Sequence, residues 1–594
     1  MTSFSVWSPA ARDVVVTTGR DATGMHRGSD GWWRAELPDV GHGDDYTFTV
    51  DGEGPLPDPR STWQPHGVHG ASRVYEQDRF RWSDGGWRGI VLPGSVFYEL
   101  HVGTFTDEGT LDAAIGRLDH LVGLGVDLVE LMPVAAFPGK HGWGYDGVHP
   151  FAVHEPYGGP DALKRFVDAC HGRGLGVVLD VVYNHLGPSG NHLPAFGPYF
   201  TERHQTPWGA AVNLDDEGSA EVRRWIVDNA LMWLRDFHID GLRLDAVHAM
   251  VDDSEEHVLS QLSGEVDALS ARLRRPLLLI AESDLNDPAM VTPRECGGLG
   301  MTGQWSDDFH HALHTLLTGE GQGYYADFAA DPYLALAGTL TEAFFHAGTW
   351  SSFRGADHGR PVDTSRFPGY RFLGYLQDHD QVGNRAMGDR ITASVSPGLV
   401  RIGAALVLTA PFTPMLFMGE EWAAATPWQY FTDHQEPALA DAVRTGRRHE
   451  FAEHGWAEED VPDPQDPATL ARSCLDWSEL DREPHLAALA WYRELLRLRR
   501  AEPELADPRL DHVQVRYDAA ARWVVVHRGA LRVACNLGAG EQAVPLDTPA
   551  LEVLASSGDG RPEGAALVMS AESVAVVRVG PAGSGAGATA ATPK

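Results

Sequence analysis

The sequence contains few cysteines and no long apolar run, and both scarcities exclude classes of protein. Its four cysteines are Cys170, Cys296, Cys474 and Cys535. They are widely separated and form no CxxC pair, so we expect small buried apolar residues in a reducing compartment rather than a disulfide framework. No segment approaches the roughly 18 apolar residues of a membrane-spanning helix, and the first residues lack the pattern of a secretory signal. The sequence therefore predicts a cytoplasmic protein.

Basic residues are also scarce. The chain has 47 Lys and Arg against 83 Asp and Glu, which gives a formal net charge of −36. Nucleic acids and anionic membranes are bound through basic patches, so we expect neither as a partner. The 594 residues, 43% of them hydrophobic, are sufficient for more than one domain with its own core.

Four short apolar segments are each followed by charged or polar residues. The segments are Val177–Leu179, Ile239–Leu244, Leu277–Ala281 and Phe372–Leu376, and they lead into Asp180-Val181-Val182-Tyr183-Asn184-His185, Asp245-Ala246-Val247-His248, Glu282-Ser283 and Gln377-Asp378-His379-Asp380. Short apolar runs of this kind predict buried strands. Strands that repeatedly end in charged residues indicate a barrel whose chemistry lies at the carboxyl ends of its strands. The sequence therefore predicts one site that collects carboxylates, an arginine and histidines.

The pattern of strands and helices changes along the chain and predicts its domains. Residues 1–90 predict a β-sandwich, 91–500 a barrel with loop excursions at 186–218 and 319–369, 501–580 a C-terminal β-domain, and 581–594 a disordered tail. The predicted fold class is α/β: a (β/α)8 TIM barrel with an N-terminal β-sandwich and a C-terminal antiparallel β-domain. Within the barrel we expect Val122 on the apolar face of a helix and Ser219 as the cap of another.

Paired carboxylates can cleave the acetal link between two sugars, because one protonates the leaving oxygen while the other attacks or stabilises the oxocarbenium-like carbon. Glu282 is the candidate acid, since it follows a very apolar strand near other carboxylates, and both surroundings favour its protonated form. Asp245 is the candidate nucleophile. Arg243 lies two residues earlier on the same face of the strand and is expected to keep Asp245 ionised.

Asp380 is expected to hold the hydroxyls of the reacting sugar, and His185, His248 and His379 to donate hydrogen bonds to the same ring. Taken singly, such residues are more often helix caps or structural ion pairs, so the interpretation depends on their joint occurrence at four strand ends. A metal centre is the rival use of this set. The histidines lie on different strands without HxH or HExxH spacing, so the sequence predicts no metal and no cofactor.

These four segments resemble, in the same order, the signature regions of glycoside hydrolase family 13, the α-amylase superfamily. The resemblance implies Asp245 as nucleophile, Glu282 as acid/base and Asp380 as transition-state stabiliser, with retention of configuration through a covalent intermediate. Tyr145, in Gly144-Tyr145-Asp146, matches the tyrosine that stacks on the reacting sugar. Asp378 departs from the usual Asn before the His-Asp pair, which puts an added negative charge near Asp380. Asn184 resembles a calcium ligand of many amylases, and calcium stays open.

Further segments are similar to those of the trehalose-releasing members of this superfamily. They include Met132-Pro133-Val134-Ala135-Ala136-Phe137-Pro138-Gly139, Thr206-Pro207-Trp208-Gly209, Gln304-Trp305-Ser306-Asp307-Asp308-Phe309-His310-His311 and Asp380-Gln381-Val382-Gly383-Asn384-Arg385. The similarity implies cleavage of the α-1,4 bond next to the terminal trehalose of maltooligosyltrehalose. Candidates for the trehalose-binding subsites are Trp208, Trp305, Asp308, His311, Phe344, Phe345, Gln381 and Asn384.

Two alternatives remain. A 1,4-α-glucan branching enzyme shares the sandwich, the barrel and the three carboxylates, but a sugar hydroxyl replaces water as the acceptor. A non-catalytic glucan-binding scaffold is the second, although a binder has no need of a protonatable Glu beside a nucleophilic Asp. The oligomeric state is not indicated by the sequence.

Overall fold

The computed structural model describes residues 2–19, 21–453 and 460–580. The predicted tail, 581–594, lies outside the described residues. The chain forms two compact units. The first contains the residues up to Ser306, Tyr370–Ala393 and Thr413–Leu486, and the second contains Asp307–Gly369, Ser394–Phe412 and the residues from Ala487 onward.

A closed barrel of eight parallel strands forms the centre of the first unit, which confirms the predicted fold class. The strands, β1 to β8, are Phe97–Leu100, Leu128–Leu131, Gly176–Val181, Gly241–Leu244, Leu278–Ala281, Gly303–Trp305, Phe372–Gly374 and Thr413–Phe417. They pair in chain order, and β8 closes the barrel on β1. Every residue of these strands is buried, because helices and loops cover the outside and side chains fill the inside. Their apolar runs were therefore a reliable signal.

The strand β6 was not anticipated. It is only three residues long, Gly303–Trp305, and contains a polar glutamine, so it lacks the apolar run that predicted its neighbours. It pairs with β5 and β7 in the barrel. This position places Trp305 in the barrel core, where it packs with Phe97, Ile280 and Leu373.

The helices of the barrel region follow its strands along the chain. Their bounds are Leu111–Ile115, Leu118–Leu124, Gly159–His171, Ser219–Asp236, Val258–Leu273, Asp307–Thr318, Pro397–Thr409, Pro437–Glu453, Pro467–Ser473 and His485–Ala501. Two expectations were wrong. Val122 is 44% exposed rather than on the apolar face. The helix that was expected to be capped by Ser219 begins at Ser219 itself, after Gly218 at φ 84°, and the glycine turn sets its start.

Both predicted loop excursions contain secondary structure. The first includes a hairpin of Phe200–Thr206 and Gly209–Val212, with Trp208 at its turn. The second includes the helices Ala326–Ala329 and Pro332–Glu342 and a hairpin of Thr349–Ser351 and Ala356–His358. Their Gly- and Pro-rich composition predicted turns correctly but not the short elements between them.

The N-terminal and C-terminal parts are antiparallel β-structure, as the sequence indicated. The N-terminal part has two sheets, one of Thr2–Trp7, Trp32–Leu37 and His26–Arg27 and one of Asp21–Gly24, Val14–Thr18, Asp45–Val50, Glu53–Leu56 and Ser72–Arg73. The C-terminal part has sheets of Val513–Asp518, Trp523–Arg528, Leu531–Asn536, Ser573–Val579 and Ala550–Ser556, and of Gln542–Pro545, Ala566–Met569 and Gly560–Glu563.

All four cysteines are free thiols. Cys170 and Cys535 are buried as expected, but Cys474 is half-buried and Cys296 is exposed, so the prediction of buried residues was wrong for these two. Within the described ranges, no helix combines the length and the apolar character that crossing a membrane requires.

Candidate active site at the carboxyl ends of the barrel strands

A pocket of about 380 Å³ opens at the carboxyl ends of the barrel strands. Eight of the predicted site residues line it: Tyr145, His185, Trp208, Asp245, His248, Glu282, His379 and Asp380. They come from the loops that follow β2, β3, β4, β5 and β7 and from the hairpin of the first excursion. Parallel strands bring their carboxyl ends to one rim, so residues far apart in sequence meet there.

Arg243 connects the carboxylates beneath this pocket. Its guanidinium is fully buried and donates to Asp245 Oδ1 through Nη1 and to Glu282 Oε2 through Nη2, each at 2.9 Å. Nη1 also donates to both oxygens of Asp180, at 2.9 and 2.8 Å. Burial lowers the pKa of Arg243, but these carboxylates outweigh burial and raise it well above its usual range. One fixed positive charge therefore contacts both candidate catalytic groups.

Glu282 is held by two donors at one oxygen. Besides Arg243, the backbone N–H of Ala246 donates to Oε2 at 2.7 Å. Ala246 has φ 38°, in the left-handed region that favours glycine, which is a form of strain found at functional sites. Both donors bind the same oxygen of Glu282 and fix the orientation of its carboxyl group.

Asp245 is 8% exposed, and both its oxygens accept hydrogen bonds. Arg243 binds Oδ1, and Asn184 Nδ2 donates to Oδ2 at 3.0 Å. The Oδ1 atom of Asn184 faces Nδ1 of His185 at 2.8 Å. Both polar atoms of Asn184 are therefore directed at pocket residues. Asp180, in β3, is fully buried. Burial raises the pKa of Asp180 to about 7, although the nearby Arg243 lowers it.

Tyr145 lies flat against His379 at the pocket wall, with ring centroids 5.2 Å apart and planes 23° apart. Its hydroxyl donates to Asp180 Oδ2 at 2.6 Å and lies 2.7 Å from Nε2 of His379. The same Nε2 is 3.5 Å from Asp380 Oδ2. The hydrogen-bonding capacity of His379, which was predicted to face the sugar, is thus shared with Tyr145 and Asp380.

His185 and Trp208 also line the pocket. Their rings stack 4.5 Å apart at 7°, and Trp208 remains 49% exposed. Burial lowers the pKa of His185, so it is neutral at neutral pH. His248 lies 3.6 Å from a carboxylate oxygen of Asp284. A broad, exposed indole face beside catalytic carboxylates suits the apolar face of a sugar ring.

Three of the residues predicted for the trehalose-binding subsites do not line the pocket and make contacts elsewhere in the structure. Trp305 is 2% exposed and lies under Arg243, whose guanidinium carbon is 4.3 Å from its ring. Asp308 accepts from the backbone N–H groups of Phe345 and His346, at 2.8 and 2.9 Å, and so fixes a turn of the second unit. His311 packs in that unit against the ring of Tyr324, at 4.7 Å, and burial lowers its pKa to about 3. These aromatic and acidic residues stabilise the fold rather than line the pocket.

The short helix His379–Gly383 explains the departure at Asp378. The Asp378 side chain caps the helix by accepting from the backbone N–H of Gln381 at 2.7 Å. Burial, and then Glu99, raise the pKa of Asp378 well above its usual range, so the uncharged form is favoured. In its protonated form an Asp resembles the Asn usual at this position. At the end of the helix, Asn384 Nδ2 donates to Asp380 Oδ1 at 3.1 Å.

Several pocket residues were not assigned a role from the sequence. They are Trp143, Asp146, Ala246, Tyr430 and Thr432. Trp143 and Asp146 lie close to the predicted Tyr145 in the sequence, and Thr432 lies far beyond the end of β8 at Phe417, where no strand signal points to it. Glu99, which contacts His379, lies within β1 before Leu100, so it does not follow an apolar run as the assigned carboxylates do and that signal could not reveal it.

One group of side chains in the described part of the chain could hold a metal ion. His204, Asp215 and Asp253 place ligand atoms within 4.8 Å of one another. Arg203 lies 3.8 Å from Asp215 and 3.5 Å from Asp253, so one guanidinium already pairs with both carboxylates. The group lies outside the pocket lining.

Comparison with known proteins agrees with this geometry. Residues 74–194 match the family model "Alpha amylase, catalytic domain", residues 1–64 match carbohydrate-binding module 48 (isoamylase N-terminal domain), and residues 508–576 match a domain of unknown function, DUF3459. The chain is similar to a solved structure described as a putative alpha amylase from Salmonella typhimurium, with a TM-score of 0.89, 38% identity and 97% of each chain covered. Barrel, rim and carboxylates together define a member of the α-amylase superfamily.

Full-length relatives narrow the class. A malto-oligosyltrehalose trehalohydrolase of Arthrobacter ramosus is 57% identical, over 91% of this chain and 94% of its own length. Another, from Rhizobium sp. (strain M-11), is 51% identical over 97% of both chains. The chain belongs to the family of malto-oligosyltrehalose trehalohydrolases.

Proposed function

We propose that this protein hydrolyses the α-1,4-glucosidic bond next to the terminal trehalose of maltooligosyltrehalose, releasing free trehalose and a shortened maltooligosaccharide. The observation that carries the proposal is the guanidinium of Arg243, which contacts Asp245 and Glu282 at 2.9 Å each beneath one pocket. Two carboxylates within reach of one side chain fit the close spacing of a retaining glycosidase. The names of the relatives supply the substrate.

In the first step Asp245 attacks the anomeric carbon of the glucosyl unit that precedes trehalose. Glu282 transfers a proton to the glycosidic oxygen, so the carbon–oxygen bond breaks and trehalose leaves with its hydroxyl restored. We assign the proton to Oε1 of Glu282, because the two donors Arg243 and Ala246 occupy Oε2. Asp245 is then bonded to the maltooligosyl chain as an ester.

In the second step Glu282 acts as the base. It removes a proton from a water molecule that attacks the same anomeric carbon, and the ester to Asp245 breaks. Two inversions give net retention. Asp380, 40% exposed at its side chain beside the pocket, is assigned to the hydroxyls of the distorted sugar, and Tyr145 to its apolar face.

Trehalose differs from maltose in its α,α-1,1 link, so its recognition requires side chains beyond the cleaved bond. We assign Trp208, with its exposed indole, and Asn384, which is held by Asp380, to this side of the site. Gln381, one residue beyond Asp380, stays a candidate. Trp305, Asp308 and His311 are not proposed, because each has the structural contacts described above.

Incubating the protein with maltooligosyltrehalose and separating the products tests the proposal. We expect free trehalose, and the accompanying maltooligosaccharide released first as its α-anomer, which proton NMR distinguishes from the β-anomer. A matched preparation of Asp245→Asn, which keeps the side-chain shape and removes the nucleophile, should release neither and excludes a contaminating activity. Release of the β-anomer would refute the covalent route.

The rival function is that of a 1,4-α-glucan branching enzyme, in which a glucan hydroxyl replaces water in the second step. Amylose is the substrate that separates the two. New α-1,6 branches, with no trehalose from maltooligosyltrehalose, would replace our proposal. A chain that binds maltooligosyltrehalose but releases nothing would instead support a binding scaffold.

A cytoplasmic location stays a prediction from the unpaired thiols.

A further inference from the structure

Glu99 is the penultimate residue of β1, contacts His379 of the pocket lining, and has no part in the two steps above. Its side chain is buried, and both its oxygens contact one residue. Oε1 pairs with Nδ1 of His379, and Oε2 accepts from the backbone N–H of His379 at 3.0 Å. This two-point contact fixes the rotation of the imidazole and the start of the helix His379–Gly383.

A chain of hydrogen bonds leads from this contact to the nucleophile. His379 Nε2 lies 2.7 Å from the hydroxyl of Tyr145, and that hydroxyl lies 2.6 Å from Asp180 Oδ2. Arg243 Nη1 donates to Asp180 and, at 2.9 Å, to Asp245. The tyrosine has a single proton, which it donates to Asp180 when Asp180 is a carboxylate. Nε2 must then donate to the tyrosine oxygen, and the ring carries protons on both nitrogens.

The surroundings of His379 decide its charge. The titratable and charged groups that face it are Glu99 on β1, His101 after β1, Glu130 on β2, Tyr145 after β2, Asp180 on β3, Arg243 on β4, Asp378 at the helix cap and Asp380 within the helix. Burial lowers the pKa of His379, but Glu99 and Asp380 outweigh burial and raise it to about 10.

We propose that Glu99 is a positioning residue for the glycosidase reaction, whose two carboxylate oxygens hold His379 as an imidazolium with its Nε2–H directed toward Tyr145 and Asp380. The proposal rests on the proposed function and deepens it. Without the carboxylate, a neutral imidazole carries one proton. If that proton stays on Nδ1, the ring has no donor on the side of the pocket, and Tyr145 and Asp380 lose their common partner.

The test needs a substrate whose leaving group requires no proton from Glu282, because deprotonation of a general acid would otherwise dominate the alkaline side of the profile. Maltosyl fluoride is such a substrate, and its kcat/KM reports only the steps up to the ester with Asp245. We expect the wild-type profile to stay level to about pH 9, since Glu99 and Asp380 raise the pKa of His379 to about 10.

Glu99→Gln keeps the size of the side chain and removes its charge. We expect its alkaline limb to move down by about 3 pH units, to near pH 7, with about a thirtyfold loss of kcat/KM at pH 8.5 and less than about a threefold loss at pH 5.5, where the free imidazole is protonated. A purely structural role would instead lower activity by one factor at every pH. That uniform loss, or no change, would overturn the proposal.

Glu421→Gln is the matched control. Glu421 is also a fully buried barrel carboxylate that contacts a histidine, His120 Nε2, at 2.7 Å, and it also accepts from Tyr98 at 3.2 Å. It lies outside the pocket lining. Its substitution removes a comparable buried charge, so we expect the alkaline limb of this variant to coincide with that of the wild type.

One further measurement keeps the proposal testable if Glu99→Gln does not fold, and a second applies if it does. His379→Gln in the wild-type background should remove the alkaline limb, and an unchanged limb in that variant would overturn the proposal. Where both variants fold, Glu99→Gln added to His379→Gln should cause little further loss, and additive losses would contradict action through His379. Failure of the wild type to cleave maltosyl fluoride and maltooligosyltrehalose would overturn the proposed function instead.

Discussion

Removing the guanidinium of Arg243 should destabilise the barrel far more than removing an exposed one. Arg243 is fully buried and contacts Asp180, Asp245 and Glu282 within 2.9 Å, so Arg243→Gln leaves three carboxylates without their shared cation. Losing one partner of a buried ion pair costs about 3–5 kcal/mol. We therefore expect Arg243→Gln to lower the free energy of unfolding by at least that amount at neutral pH. Calorimetry should show this as a fall of several degrees in the Tm of the barrel transition.

The pH dependence separates this charge effect from lost packing. Without Arg243, the buried carboxylates bind protons more readily in the folded than in the unfolded chain, so folding is favoured as pH falls. The loss of unfolding free energy in Arg243→Gln, relative to the wild type, should therefore become smaller as the pH falls from about 7.5 to about 5.

Arg165→Gln provides the control, because its pair with Asp112 at 2.6 Å is about half exposed and worth about 0–1 kcal/mol. The reasoning would be refuted if the loss of unfolding free energy in Arg243→Gln were as small as that in the control, or if it did not change with pH.

Three further predictions follow from single contacts. Glu282→Gln should lower kcat on maltooligosyltrehalose by about 10²–10⁴ with little change in Kd, since it removes acid catalysis alone; near-normal turnover would contradict the assignment. Trp208→Ala should raise KM roughly tenfold without lowering Tm, because the ring of Trp208 is 49% exposed. Trp350, which is 61% exposed in the second unit, is the control, and Trp350→Ala should change neither KM nor Tm. An unchanged KM in Trp208→Ala would contradict the assignment of Trp208 to sugar binding. The stability that His379 contributes through its raised pKa is present below pH 6.5 and lost as pH rises through about 10, so the Tm advantage of wild type over His379→Gln should narrow between these values; a constant difference would contradict it.

The barrel was predictable because its strands are buried on both faces and most of them are therefore rich in apolar residues. Asp245, Glu282 and Asp380 directly follow such strands or their short extensions, so position along the chain was enough to place them at one rim. The strand that ends at Trp305 was missed because three residues with a central glutamine carry too little apolar signal. Its tryptophan was accordingly assigned to sugar binding rather than to the core.

Side-chain partners could not be predicted, because they depend on residues distant in sequence. Nothing local to Asp308 shows that its carboxylate caps a turn 37 and 38 residues later. The same holds for the contact of Glu99 with His379, 280 residues away. Asp378 is similar, since the rise in its pKa comes from burial and from Glu99, neither of which the motif reveals.

The most direct test of the account is to trap the ester on Asp245. In Glu282→Gln the fluoride of a maltosyl fluoride can still leave, whereas attack of water lacks its base, so the intermediate should accumulate. Mass spectrometry of the intact protein should show one added maltosyl group, located on the peptide that contains Asp245. A group found on another carboxylate, or no adduct while the fluoride is consumed, would contradict the assignment of nucleophile and acid.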